Sequence, residues 1–132
     1  MHGPAPELRL LVAAVVVGVV QLIWATVATR ARGDLKWAAG PRDEPMPAIG
    51  GAARLERSFR NFMETFPLHA AAVIAAYLAA KLGDLTLWGG VLYVVGRAFH
   101  PIFYLLAIPY LRTLAWFVAF AGTVMVTAAI FL

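Results

Sequence analysis

From Leu10 to Thr29 the chain reads LLVAAVVVGVVQLIWATVAT, twenty residues without a charge, closed by Arg30 and Arg32. A helix of that length rises about 30 Å, the thickness of a bilayer's hydrocarbon core. Three further apolar segments follow. One begins polar near Arg54 and turns fully apolar from Phe66 to Ala80 before Lys81, Gly83 and Asp84; the others run roughly from Leu85 to Ile108 and from Tyr110 to Leu132. Backbone groups in lipid must be satisfied within their own segment, and a barrel would need alternating polarity that these runs lack. The expected fold is therefore an all-α integral membrane protein, a four-transmembrane-helix bundle in a single domain over residues 1–132. Its helices are expected at about 8–29, 54–82, 85–108 and 110–132. Composition agrees: 62% of the residues are hydrophobic and 14% charged, with mean hydropathy +0.79, outside the range of soluble domains.

The first segment is longer than a secretory signal's apolar stretch, and His2, Glu7 and Arg9 before it do not make a basic leader. It reads as an uncleaved first span. Arg30, Arg32, Lys36, Arg42, Arg54, Arg57 and Arg60 gather in the first connection and its flanks, and Arg112 lies beside the third. By the positive-inside rule those two connections face the cytoplasm, in the cell membrane if the chain is bacterial. The first connection, roughly Ala31 to Ala53, contains GPRDEPMPAIGG, where Pro45 and Pro47 break any helix. A lid and a plain connector both suit it. With no cysteine, the chain has no thiol nucleophile and no cysteine metal site, so any thiol chemistry draws its sulfur from a ligand. No metal site, phosphate-binding glycine loop or nucleic-acid motif is visible.

Two polar stripes interrupt the apolar pattern. Arg54, Arg57, Arg60, Asn61 and Glu64 fall within an arc of about 120° at 100° per residue, so one helix face carries all five. A charge at membrane depth costs about 2.5–3.5 kcal/mol on insertion scales, so this face needs a polar or anionic partner, a headgroup collar or internal ion pairing. Glu64 either takes a ligand's ammonium or amide N–H or serves as counter-ion to Arg57 or Arg60. In the third segment Arg97, His100 and Tyr104 fall within about 60°, and Arg97 lies too deep to snorkel, so it faces a polar cavity or a partner. Pro67 and Pro101 are expected to bend their helices beside these stripes. Small residues such as Gly18, Gly96 and Gly122 permit close helix contacts.

Arginine forks bind carboxylates bidentately, and asparagine and glutamate can hold amides and an amine, so the inventory suits a tripeptide with two carboxylates and one amine. The run Arg54-x-x-Arg57-x-x-Arg60-Asn61-x-x-Glu64-Thr65, followed by Pro67, resembles the second-helix signature of the membrane-associated proteins in eicosanoid and glutathione metabolism, the MAPEG family. GRAFHPIFY (96–104) is similar to its third-helix pattern, and PYLRTLAW (109–116) to the start of its fourth helix in bacterial members. The resemblance spans nearly the whole chain. It departs at two points: the spacing from Tyr104 to Arg112 is one residue shorter than in prostaglandin-forming relatives, and Trp116 stands where those relatives place a tyrosine.

The resemblance implies a homotrimer with glutathione as cofactor, bound between neighbouring subunits. Carried over by position, Arg57, Arg60, Asn61 and Glu64 of one subunit hold the peptide, with Arg54 in the same stripe, while Arg97, His100 and Tyr104 come from the neighbour. Arg30 matches a ligand-contacting arginine, and Arg112-Thr113 matches the pair that stabilises the glutathione thiolate in catalytic relatives, making Arg112 the expected catalytic residue. The expected function is a membrane glutathione transferase, with or without glutathione-dependent peroxidase activity, acting on lipophilic small molecules dissolved among the membrane lipids. The alternative is a non-catalytic lipid- or glutathione-binding member of the same family. A transporter subunit is a third reading, but no inverted repeat supports it.

Overall fold

The computed structural model describes residues 3–31, 39–41 and 49–132. Among these the chain forms four long helices: α1 (Pro6–Arg30), α2 (Gly50–Leu78), α3 (Asp84–Leu105) and α4 (Pro109–Ala129). The all-α expectation holds. By length and composition α1 and α4 are each apolar enough to cross a membrane, whereas α2 and α3 carry the polar stripes within their length. Pro45 and Pro47, in the connector read from the sequence as a lid or a plain link, lie outside the described residues.

α2 begins about one turn before the expected start at residue 54 and stops at Leu78, short of the expected 82. Its end is a left-handed closure. Ala80 has φ 56°, the Lys81 N–H donates to the Ala76 carbonyl at 2.9 Å, and the Ala80 N–H donates to Tyr77 at 3.1 Å. That pattern ties off the last carbonyls of a helix and turns the chain away from its axis. α3 ends the same way: Ala107 has φ 57° and the Ile108 N–H reaches the Phe103 carbonyl at 3.1 Å. Pro109 then opens α4 in its first turn, where its missing N–H costs nothing.

Helices in lipid gain little from the hydrophobic effect, so close packing of small residues has to hold them together. α1 turns Ala14, Gly18, Gln21 and Ala25 inward, and the Phe62 ring of α2 lies against Gly18, with a ring carbon 2.5 Å from where a Cβ would stand. α3 and α4 approach through their backbones. A Cβ on Gly96 would lie 2.7 Å from the Ala115 carbonyl oxygen, and Gly89 meets Gly122 backbone to backbone. At the far end the Thr86 hydroxyl, which accepts from the Gly83 N–H at 2.8 Å, contacts the buried Glu7 carboxylate at 2.9 Å and so joins α1 to the start of α3. The outward faces are apolar, with Val12, Val16, Val20, Ile23 and Val27 exposed on α1 and Leu114, Phe117 and Val124 on α4.

Replacing Gly96 with alanine drives a methyl group into backbone that cannot rotate away. We expect a loss of about 1–3 kcal/mol of stability. In detergent this reads as a lower melting temperature for Gly96→Ala, while Gly83→Ala, with open space where the methyl would go, melts with the unsubstituted protein.

Candidate functional site

α2 has two unlike faces. It buries Ala52, Leu55, Ser58, Phe62, His69, Val73 and Ala76 toward the bundle. Arg57, Arg60 and Glu64 point away and are exposed, while Arg54 and Asn61 sit half-buried at the boundary. The five residues of the stripe thus share a helix face, but they do not share an environment.

Arg54 leaves the wall that the sequence pattern suggests. Its Nε donates to the Leu105 carbonyl at 3.1 Å, across from the start of α2 to the last residue of α3. The last carbonyls of a helix lack intrahelical donors and carry partial negative charge, which is why a guanidinium settles there. Asn61 also turns inward, accepting a hydrogen bond from Nη1 of Arg97 at 2.8 Å. Glu64 pairs with neither Arg57 nor Arg60 among the described residues.

Arg97 is wholly buried, with its guanidinium 5.5 Å from the Phe62 ring centroid and its Nε and Nη2 without hydrogen-bond partners among the described residues. His100 is buried one turn on, and its Nδ1 lies 2.9 Å from the Ser58 hydroxyl. Both side chains therefore engage α2 of their own chain. Within the one chain, α3 packs this face directly against the inward side of α2. Tyr104, half-buried, lies at the rim.

At that rim the cations converge. The Arg112 guanidinium lies 4.6 Å from the Tyr104 ring centroid, and that of Arg57 lies 5.9 Å from the same ring. The His100 ring is 5.5 Å from it. The left-handed turn at Ala107 makes this possible, since it folds α4 back so that Arg112, eight residues after Tyr104, returns to the same ring. Thr113 does not join Arg112. It is exposed, and its hydroxyl donates to the Pro109 carbonyl at 3.0 Å. Arg30 is exposed at the last residue of α1.

Several polar residues that the sequence pattern did not single out line the interior. His69 stacks on Tyr93 at 3.8 Å with an interplanar angle of 5°, and its Nδ1 is 3.0 Å from the Thr123 hydroxyl. The Tyr93 and Thr65 hydroxyls are 3.2 Å apart. Thr65, Tyr93 and Thr123 border a cavity of about 120 Å³ shared with Arg97 and Trp116. Trp116 stacks on Phe120 beside this cavity. The available signal was the four-residue spacing of Thr65 with His69 and of Tyr93 with Arg97, which extends both stripes by one turn.

The MAPEG family model matches residues 10–132, nearly the whole chain. The chain belongs to the MAPEG family. It is accordingly a helical membrane protein, and its exposed valines and phenylalanines are the surface such a protein turns to lipid. No curated protein and no solved structure matches it.

Among the described residues Asn61 supplies the one hydrogen bond to the buried Arg97 guanidinium. Asn61→Ala should therefore cost about 1–3 kcal/mol, seen as a lower melting temperature. Adding Arg97→Met removes the stranded charge and should recover most of the loss, so the two substitutions together melt higher than Asn61→Ala alone.

Proposed function

We propose that this MAPEG protein is a membrane glutathione transferase in which the tripeptide lies along the exposed face of α2 with its sulfur at the Tyr104 rim. The observation that carries the reading is the convergence of Arg57 and Arg112 on one ring. Two guanidiniums held on one aromatic ring repel each other, and an anion between them relieves that repulsion. Arg60 and Arg57 suit the two carboxylates of glutathione, and Glu64 on the same face suits its ammonium.

A free thiol near pKa 8.5 is mostly protonated at neutral pH, and an adjacent guanidinium favours the thiolate. The thiolate then attacks an electrophilic carbon of a lipophilic acceptor that arrives through the bilayer. For a chloroaromatic acceptor the new carbon–sulfur bond forms as chloride leaves, and the thiol proton goes to water. Reduction of a lipid hydroperoxide is a second use of the site: the O–O bond breaks to give an alcohol and water as two glutathione thiols are oxidised to their disulfide. In this reading Arg112 is the catalytic residue, Thr113 and Arg30 are peripheral, and Arg54 fixes the end of α3.

The reading includes a homotrimer with all four helices crossing the membrane and the Tyr104 rim at the cytoplasmic side. A second subunit set against the exposed face of α2 would bury Arg57, Arg60 and Glu64 together with the peptide. The alternative within the family is a protein that binds glutathione or lipid without turnover.

Incubation of purified protein with glutathione and a chlorinated aromatic acceptor should give conjugate, together with thiolate absorbance. We expect Arg112→Ala to lower turnover by about two orders of magnitude, in line with loss of one positioned electrostatic stabiliser. Undiminished conjugation in that variant refutes the role of Arg112, and binding without conjugation across a broad acceptor panel favours the non-catalytic alternative.

A further inference from the structure

Behind His100 lies a buried hydrogen-bond chain that begins on α1. Gln21, 3% exposed, places its Nε2 3.4 Å from the backbone carbonyl of Arg97 and its Oε1 3.4 Å from the hydroxyl of Ser58. Ser58, fully buried, in turn lies 2.9 Å from Nδ1 of His100. The chain crosses three helices.

Its proton directions follow from chemistry. A backbone carbonyl only accepts, so the amide nitrogen of Gln21 must face Arg97; the flipped amide would set two oxygens against each other. That leaves Oε1, also an acceptor, toward Ser58. The serine has a single proton, and donating it to Oε1 leaves only lone pairs for His100. The Nδ1 contact then needs its proton from the imidazole. If Ser58 donated to His100 instead, the buried Gln21 oxygen would have no donor, which costs about 1–3 kcal/mol.

We propose that Gln21 and Ser58 are positioning residues that hold neutral His100 as its Nδ1–H tautomer, so that Nε2 across the ring offers a lone pair to the glutathione site. The tautomer assignment stands on the hydrogen-bond chain alone, and its use in ligand binding rests on the glutathione reading above. An Nε2 acceptor takes an N–H or S–H of the peptide, whereas the opposite tautomer would present a donor to the same group. Two donor-only side chains, Arg57 and Arg112, lie over the Tyr104 ring at the rim, so an acceptor there supplies what they lack.

Protein labelled with ¹⁵N-histidine, in micelles at neutral pH, reports the tautomer directly from the nitrogen shifts, and His100→Gln identifies the His100 signals among the three histidines. The expected result is a protonated Nδ1 and a bare Nε2. Ser58→Ala should shift the ring to Nε2–H and weaken glutathione binding about five- to tenfold, while Ser58→Thr, which keeps the hydroxyl, restores both. A wild-type ring protonated at Nε2, or a ring unchanged in Ser58→Ala, overturns the proposal. Should Ser58→Ala fail to fold, Gln21→Leu frees the serine proton for His100 and must move the same signals, and no movement is equally fatal. A tautomer shift with unaltered glutathione affinity overturns the positioning role. Failure of the wild-type protein to bind glutathione at all refutes the glutathione reading and leaves the tautomer result to stand by itself.

Discussion

The hydrogen bond from Arg97 to Asn61 sets how α2 is rotated in the bundle, and that rotation decides which of its side chains are available for function. A guanidinium with no exposed surface cannot keep its charge without a polar neighbour, so the boundary residue Asn61 is drawn inward. Ser58 and Phe62 on the same turn follow it toward α1 and α3. The geometry of the helix then leaves Arg57, Arg60 and Glu64 facing out. A cluster of exposed charges on a helix of a membrane protein calls for water, headgroups or a polar partner around it.

The second constraint comes from the two left-handed alanines. Helices normally end in that conformation on glycine, and here Ala80 and Ala107 take it. At Ala107 the outcome matters for chemistry, because the tight turn returns Arg112 to the ring of Tyr104. The eight-residue interval from Tyr104 to Arg112 thus closes on one rim. Glycine contacts between α3 and α4 keep the two helices at backbone distance and hold that rim in place.

Much of this was legible in the sequence, for identifiable reasons. The four apolar segments, the all-α class and the family pattern follow from length, uncharged composition and helical spacing, and Arg97 was marked by its depth. The unequal fates of the stripe residues were not legible. Periodicity puts Arg54 and Glu64 on one face, but it does not show that the open carbonyl of Leu105 captures Arg54. Nor does it show that α3 sets Arg97 and His100 against Asn61 and Ser58 of the same chain. Ser58, His69, Tyr93 and Thr123 escaped notice because single hydroxyls and rings in apolar runs are usually packing residues. Their pairing exists only once three helices are in contact.

The central claim is that the outward face of α2 holds glutathione, and calorimetric titration of glutathione into the solubilised protein tests it most directly. The expected result is saturable binding to the wild-type protein, its loss when Arg60→Ala and Glu64→Gln are combined, and full retention in Arg9→Ala, where the exposed arginine lies near the opposite end of the bundle. Binding that survives the combined substitution, or its absence from the wild-type protein, would contradict it.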